Sequence, residues 1–399
     1  MKNQFDLNPA QLADIANDLS GKTVTGLNQD GTEIKCLPTY IHPKKGDIKG
    51  NATVFDLGGT NFRVATVSVA EKTSITSMAE KDITEMKRKG FTREDLFRSQ
   101  ASVLKQLKVS DKTPIGYCFS YPAKSLTDGD AELIKWTKGV SIAKMEGYPV
   151  GKPLLDFMNK NTGHHFTDIR VVNDTITSLF AGLLNPGFDA YIGIIVGTGT
   201  NMATFFPSGY IPKLGSLKGW TGETPVNLES GNFYPPHLTS LDEEVDAGSD
   251  NKGFQRFEKA VSGMYLGRVF MAAFPPDKLD ANMSAVDLTS MINDPSKYKA
   301  EHVEVAYQIY ERSAKLVAAS IAGLVRNLHD ANPVVKQIQV LAEGSLFWSQ
   351  IKTERSSYAE LVNTHLAGLL TKLDMPGITV TISQMENANL IGAAMAVLS

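Results

Sequence analysis

The sequence predicts a mixed α/β protein of two domains, and three observations carry that prediction. Strand-like runs, β-branched and bounded by glycine, alternate with stretches of helical periodicity. Two glycine–threonine turns each sit between apolar runs, which calls for hairpins and therefore for mixed rather than all-parallel sheets. The chain has 399 residues, enough for two domains at roughly 150 residues each.

Taken in order, strand signals fall near 52–57, 62–69, 113–119, 169–173, 190–196, 202–206, 337–342 and 378–383. Helical faces interleave with them. Ile176, Leu179, Phe180, Leu183 and Leu184 share one face, and Pro186-Gly187 ends that run. Ala306, Ile309, Leu316, Val317, Ile321, Leu324 and Leu328 form a second, closed by Asn332-Pro333. Tyr358 to Leu373 and Gly392 to Leu398 read as two more. The stretch 207–253 is different: rich in proline and glycine and poor in periodicity, it reads as a long loop-rich segment with a functional purpose.

The first turn is Val54-Phe55-Asp56-Leu57-Gly58-Gly59-Thr60-Asn61, followed by Phe62-Arg63-Val64. The second is Ile194-Ile195-Val196-Gly197-Thr198-Gly199-Thr200-Asn201, followed by Met202-Ala203-Thr204. Glycines let several backbone N–H groups converge on an anion, and threonine adds a hydroxyl donor. One such hairpin could be an ordinary β-turn. Two of similar layout read as halves of one phosphate clamp, and the chain as an ATP-using phosphotransferase. Neither turn has the lysine of a nucleotide P-loop, nor the third glycine and helix of a dinucleotide fingerprint.

Apolar residues make up 42 % of the chain and the net charge is −3. That composition supports large cores and argues against nucleic acid as a partner. Cys36 and Cys118 are too few for a disulfide framework, which suits a reducing compartment. Cys118 reads as a small core residue, and Met264, Tyr265 and Phe270 as core. The segment from Met1 to Pro9 has no basic or apolar leader character, and the most apolar strand is far shorter than a bilayer span. The expectation is a cytoplasmic protein with one catalytic unit and no membrane attachment.

Leu37-Pro38-Thr39-Tyr40, FDLGGTNFRV at 55–64, FSYP at 119–122, WTKG at 136–139 and VVNDT at 171–175 stand in a definite order. VGTGTN at 196–201, Glu229 within NLESGNF and QRFEKAVSGMYLG at 255–267 continue it. In that order the chain resembles the hexokinases, from about residue 37 to about 330. The resemblance implies a two-lobed actin-like (ribonuclease H-like) ATPase fold, each lobe a mixed sheet flanked by helices. It implies a small lobe of 51–174 plus 386–399 and a large lobe of 1–50 plus 175–385, with the active site in the cleft. Its substrates would be a hexose, glucose first, phosphorylated at the 6-hydroxyl, and ATP with Mg2+. A homodimer is left open.

The resemblance makes Asp174 the general base, and chemistry agrees, since the attacking hydroxyl must lose a proton as the new P–O bond forms. A plainer role for Asp174 is the N-cap of the helix that follows it. Sugar binding falls by resemblance to Ser120, Thr137, Lys138, Asn173, Asp174, Asn201, Glu229, Gln255 and Glu258. Each alone is an ordinary turn or surface residue; only their joint order argues otherwise. Lys138 would also stabilise charge on the phosphoryl group. Asp56, a carboxylate closing an apolar strand, needs a cation or a partner, and is expected to hold Mg2+ through water. Gly58, Gly59, Thr60, Asn61 and Arg63 would cradle one end of the triphosphate, and Thr198, Gly199 and Thr200 the other.

Two stretches depart from the hexokinase pattern. Leu341-Ala342-Glu343-Gly344-Ser345-Leu346-Phe347 replaces a Val-Asp-Gly-Ser-Leu-Tyr stretch, and Gln384-Met385-Glu386-Asn387-Ala388-Asn389 replaces a glycine- and serine-rich turn. Gly344 and Ser345 are still expected at the nucleotide. A sugar sensor with little activity, or an actin- or chaperone-like ATPase, would share the hairpins. The ATPase leaves Ser120, WTKG and Glu229 without a purpose.

Overall fold

The computed structural model describes residues 4–43, 48–215, 222–275, 280 and 282–399. Its strands are β1 (Leu37–Pro38), β2 (Gly50–Leu57), β3 (Asn61–Val69), β4 (Ser74–Asp82), β5 (Ile115–Phe119), β6 (Ala123–Ser125) and β7 (Ala131–Leu133). They continue with β8 (Ile169–Val172), β9 (Ala190–Val196), β10 (Thr200–Pro207), β11 (Glu223–Asn227), β12 (Gln337–Glu343) and β13 (Thr379–Ser383). One sheet runs β4-β3-β2-β5-β8 and the other β1-β11-β10-β9-β12-β13, with β6 and β7 a small hairpin apart.

The two sheets repeat one plan. In the first, β2 pairs antiparallel with β3 and parallel with β5, which pairs parallel with β8. In the second, β9 pairs antiparallel with β10 and parallel with β12, which pairs parallel with β13. Each glycine–threonine turn therefore links an antiparallel pair of neighbouring strands, β2–β3 or β9–β10, as the sequence predicts. Every strand expected from the sequence is present. The short β1, β6, β7 and β11 were not foreseen, nor was β4, whose residues alternate between exposed and half-buried and so lack an apolar period.

Helices α1 (Pro9–Asn28), α2 (Arg93–Leu104), α3 (Gly151–Asn161), α4 (Asp174–Gly182), α5 (Ser240–Ala247) and α6 (Arg256–Val261) precede α7 (Gly263–Ala273) and α8 (Ala285–Asn293). The last three are α9 (Ala300–Ala331), α10 (Tyr358–Lys372) and α11 (Ala388–Val397). The outer face of the second sheet is covered by α9 with α1, α8 and α10 around it, in the largest apolar core. The outer face of the first sheet is covered by α2 and α3. α1 has a clear start signal: Pro9 at its first turn and a reciprocal capping pair between Asn8 and Gln11.

Between the sheets lie α4, on the second, and α11, on the first, packed against each other in a core with Val54, Ile176, Leu179, Phe205 and Leu390. The approach is close enough that a Cβ on Gly392 would lie 1.8 Å from the Thr177 carbonyl oxygen. Only glycine fits there.

Part of the loop-rich stretch 207–253 is ordered into β11 and α5, while 216–221 lie outside the described residues. Tyr265 and Phe270 are core, but Met264 is exposed, because it falls on the outer face of α7. Cys118 is buried in β5 beside Thr177, and burial pushes its thiol well above its usual range. Among the described residues no helix is long and apolar enough to cross a membrane.

Candidate active site

The residues singled out by sequence gather at the carboxyl ends of the parallel strands, where open α/β sheets bind ligands. Asp56 and Gly58 lie at the end of β2, Ser120 just beyond β5, and Asn173 and Asp174 just beyond β8. In the other sheet, Gly197 follows β9, and Glu343 and Gly344 close β12.

Around the first turn, Asp56 and Arg63 are directly opposed across the β2–β3 pair. The guanidinium donates to Asp56 Oδ2 from Nε at 2.9 Å and Nη2 at 2.5 Å, and Nη1 reaches Asn387 Oδ1 at 3.5 Å. This ion pair is how an apolar strand tolerates the carboxylate. Burial still pushes the Asp56 carboxyl up, against the pull of Arg63, and the charge of Asp174 adds to the rise. Arg63, expected at the triphosphate, is thus committed to Asp56. Thr60 and Asn61 are exposed at the tip. Lys138 lies across the turn: a Cβ on Gly59 would come within 2.6 Å of its Cδ. Its ammonium donates to the Ser120 carbonyl at 2.6 Å and sits 5.4 Å from the Tyr121 ring centre. The β5 end, the WTKG loop and the first turn are therefore one unit. Thr137 is half-buried in the same loop.

Around the second turn, Gly197 N–H donates to Gly199 C=O at 2.9 Å, closing the bend. Gly344 adopts φ 111°, and a Cβ there would meet the Val196 carbonyl at 2.2 Å, so the chain after β12 is pressed onto this turn. Ser345 follows it, exposed, as does Thr198. Thr200 is less free than expected. Its N–H donates to Glu258 Oε2 at 3.0 Å and its hydroxyl to the Ile195 carbonyl at 2.9 Å. Glu258 also fills the space beside Gly199, where a Cβ would lie 2.6 Å from Oε2.

Next to it is a polar cluster. Asn201 Nδ2 donates to Asn227 Oδ1 at 2.7 Å, Asn227 Nδ2 donates to Glu229 Oε1 at 2.8 Å, and Asn201 Oδ1 accepts from Ser230 N–H at 3.1 Å. Glu229 and Gln255 both hold left-handed backbone, at φ 54° and 52°. Such strain in non-glycine residues concentrates at functional sites. Burial raises the carboxyls of Glu229 and Glu258, and the Lys138 ammonium lowers both. A small cavity lined by Leu37, Thr39, Phe119, Val172, Asn173 and Asn227 connects this cluster to the end of β8. It places the Leu37-Pro38-Thr39 motif behind the site.

Asp174 is not the cap of α4. Asn173 takes that place, its Oδ1 accepting from Thr175 N–H at 2.9 Å, and Asp174 is the first helical residue. The correction has a geometric cause: Asn173 has extended backbone (φ −69°, ψ 154°), the cap conformation. Asp174 Oδ1 accepts from Thr175 N–H at 2.9 Å. Its charge raises the carboxyls of Asp56, Glu229 and Glu343.

Sequence reasoning missed Glu343 as a site residue, although it stands in a stretch that departs from the hexokinase pattern. Its carboxyl is pushed up to about 7, first by burial and then by the charges of Asp174 and Asp56, with Arg63 opposing. Glu343 closes β12 beside the second turn, and the charges that raise it come from Asp56, beside the first turn, and from Asp174, so three carboxyl groups interact there and their surroundings are negatively charged. Such surroundings suit a cation. Among the described residues no three carboxylate, histidine or cysteine side chains are close enough to hold a metal alone. Mg2+, which keeps waters and binds through one or two carboxylates together with phosphate oxygens, fits that donor set.

The raised carboxyl has a measurable consequence. Its usual value is 4.5 and its folded value about 7, so the folded state binds the proton more tightly than the unfolded state. Stability contributed by this proton is lost as pH rises through that window. Glu343→Gln, which mimics the protonated form, is expected to be more stable than the parent at pH 8 by roughly 1–3 kcal/mol. The two should converge near pH 4.5. Urea unfolding of both proteins without nucleotide at pH 5 and 8 checks this; identical pH dependence would mean that the charge is fully compensated.

Comparison with known proteins bears on the family and the fold. Two profiles described as hexokinase match residues 1–183, and 191–275 with 269–399. Hexokinase-2 of Oryza sativa subsp. japonica is 29% identical over 444 aligned residues, covering 97% of this chain and 87% of that protein. Hexokinase-1 of Arabidopsis thaliana is 28% identical, covering 97% and 87%. The structure of hexokinase from Schistosoma mansoni complexed with glucose superposes with a TM-score of 0.79 at 26% identity, covering 99% of this chain and 96% of that one.

Proposed function

The chain belongs to the hexokinase family of sugar-phosphorylating enzymes, and we propose that its own reaction transfers the γ-phosphoryl group of ATP to the 6-hydroxyl of a hexose, glucose first. The observation that supports this reading is that Asp174 begins α4 without being its cap, while its charge raises the carboxyls of Asp56, beside the first glycine turn, and Glu343, beside the second. There a carboxylate can take the hydroxyl proton as the P–O bond forms. Ser120, Thr137, Asn173, Asn201, Glu229, Gln255 and Glu258 orient the sugar, and Lys138 neutralises the transferring group from its place over Gly59. Gly58, Gly59, Thr60 and Asn61 hold one end of the polyphosphate and Thr198, Gly199, Gly344 and Ser345 the other. Mg2+ would be held near Asp56 through water, where it supplies positive charge to the phosphates.

The division into lobes at 51–174 plus 386–399 and 1–50 plus 175–385 is part of this reading, supported by the separate outer cores of the two sheets. The test is a coupled assay for hexose 6-phosphate with several hexoses and with ATP, GTP, ADP or pyrophosphate as donor. Glucose with ATP should give the highest rate. Sugar binding without product from any pair would mean a sensor rather than an enzyme.

A further inference from the structure

We propose that Asp246, Lys259 and Asn251 form a positioning device that fixes the amide of Gln255 so that it presents N–H donors to the sugar; this rests on the reading of Gln255 as a sugar ligand. Asp246, near the end of α5, and Lys259, on α6, are only 3% and 2% exposed. They pair at 2.7 Å. Asp246 also accepts the Gly253 N–H on both oxygens at 3.0 Å, and Arg256 Nη1 stands 3.4 Å away. Although burial pushes the Asp246 carboxyl up, these donors hold it below its usual range. Lys259 Nζ donates in addition to the Asn251 carbonyl at 3.0 Å.

The segment between α5 and α6 is thus gripped twice, at the Gly253 amide by the carboxylate and at the Asn251 carbonyl by the ammonium. Asn251 then donates from Nδ2 to Gln255 Oε1. That bond matters because a glutamine amide can flip, exchanging donor for acceptor. With Oε1 occupied by Asn251, the NH2 group is the end left for a ligand. Gln255 becomes a donor in the same proposed set of sugar ligands as the carboxylate acceptors Glu229 and Glu258. Its left-handed backbone, without a side-chain cap, persists only where its surroundings enforce it. Two charges this deeply buried, on either side of a turn that ends at Gln255, are such surroundings.

The experiment is a mutant cycle read in steady-state kinetics with thermal melting as control. Gln255→Ala is expected to raise the hexose KM. Asn251→Ala, a change at a half-buried loop position, is expected to raise it about three- to tenfold, with the ATP KM and the melting temperature unchanged. The double variant should be no worse than Gln255→Ala alone, since both remove one interaction. Lys259→Met should raise the hexose KM at least as far. If Gln255→Ala raises the KM while Asn251→Ala does not, or the two effects simply add, the positioning role is wrong and the sugar site stands. A drop in melting temperature for Lys259→Met with normal hexose KM also overturns it. If Gln255→Ala changes nothing, both readings fall together.

Discussion

Asp174→Asn is expected to lower turnover by roughly two to four decades, the usual worth of a positioned base, while leaving the protein as stable as the parent. The expectation of intact stability follows from where the helix is capped. Asn173 supplies the cap through its bond to Thr175 N–H, and an asparagine at 174 can keep the second acceptor on the same donor. Loss of a negative charge from the first turn of α4 costs about 0.3–1 kcal/mol. Against that, the variant relieves the repulsion that raises Asp56, Glu229 and Glu343. Sugar affinity should change little, because an amide still hydrogen-bonds a hydroxyl. Single-turnover phosphorylation, equilibrium sugar binding and melting, measured on the same preparation, separate the roles. Near-normal turnover would remove Asp174 from the chemistry. Lost turnover together with a lower melting temperature would instead point to a role in the fold.

How far the sequence foretold this arrangement depends on the kind of signal. The hairpins were legible because glycine turns flanked by β-branched runs have a short-range cause, and β2–β3 and β9–β10 form accordingly. The long α9 was legible from its apolar period. β4 was not, since an edge strand with neither face buried writes no pattern into its residues. α1 carried its start signal in Asn8, Pro9 and Gln11, but a reading that weighs apolar periods above caps passes over it. The carboxylate space was legible only in part. Asp56 and Asp174 stand in recognisable motifs, whereas the significance of Glu343 arises from β12 lying parallel to β9, a pairing far apart in sequence. The commitment of Arg63 to Asp56 follows from strand register, which sequence alone leaves open. In the stretch that departs from the glycine- and serine-rich turn of the pattern, Asn387 adopts φ 57°. Asparagine is among the few non-glycine residues that visit that backbone routinely, and its side-chain oxygen faces Arg63.

Asp56→Asn should produce the second large effect, a loss of roughly two to three decades in turnover, comparable with removal of one preorganised electrostatic group. Here stability should also fall. Asp56 is 4% exposed and carries two hydrogen bonds from Arg63, and breaking a buried pair costs up to about 3–5 kcal/mol. The Arg63 side chain is 26% exposed, so water can take up part of its charge and the cost should lie below that range. Two effects from one substitution need to be told apart. Arg63→Met removes the same pair from the other side but keeps the carboxylate. If Asp56 serves only to pair Arg63, both variants should lose turnover in proportion to stability, with the Mg2+ dependence of nucleotide binding unchanged in each. If Asp56 helps to hold the cation, only Asp56→Asn should shift that dependence, by about tenfold or more, as read by calorimetric titration of ATP at several Mg2+ concentrations. Arg63→Met should then keep the parent's Mg2+ requirement even where it folds less stably. An unshifted requirement in Asp56→Asn would leave the first glycine turn with its ion pair and no metal.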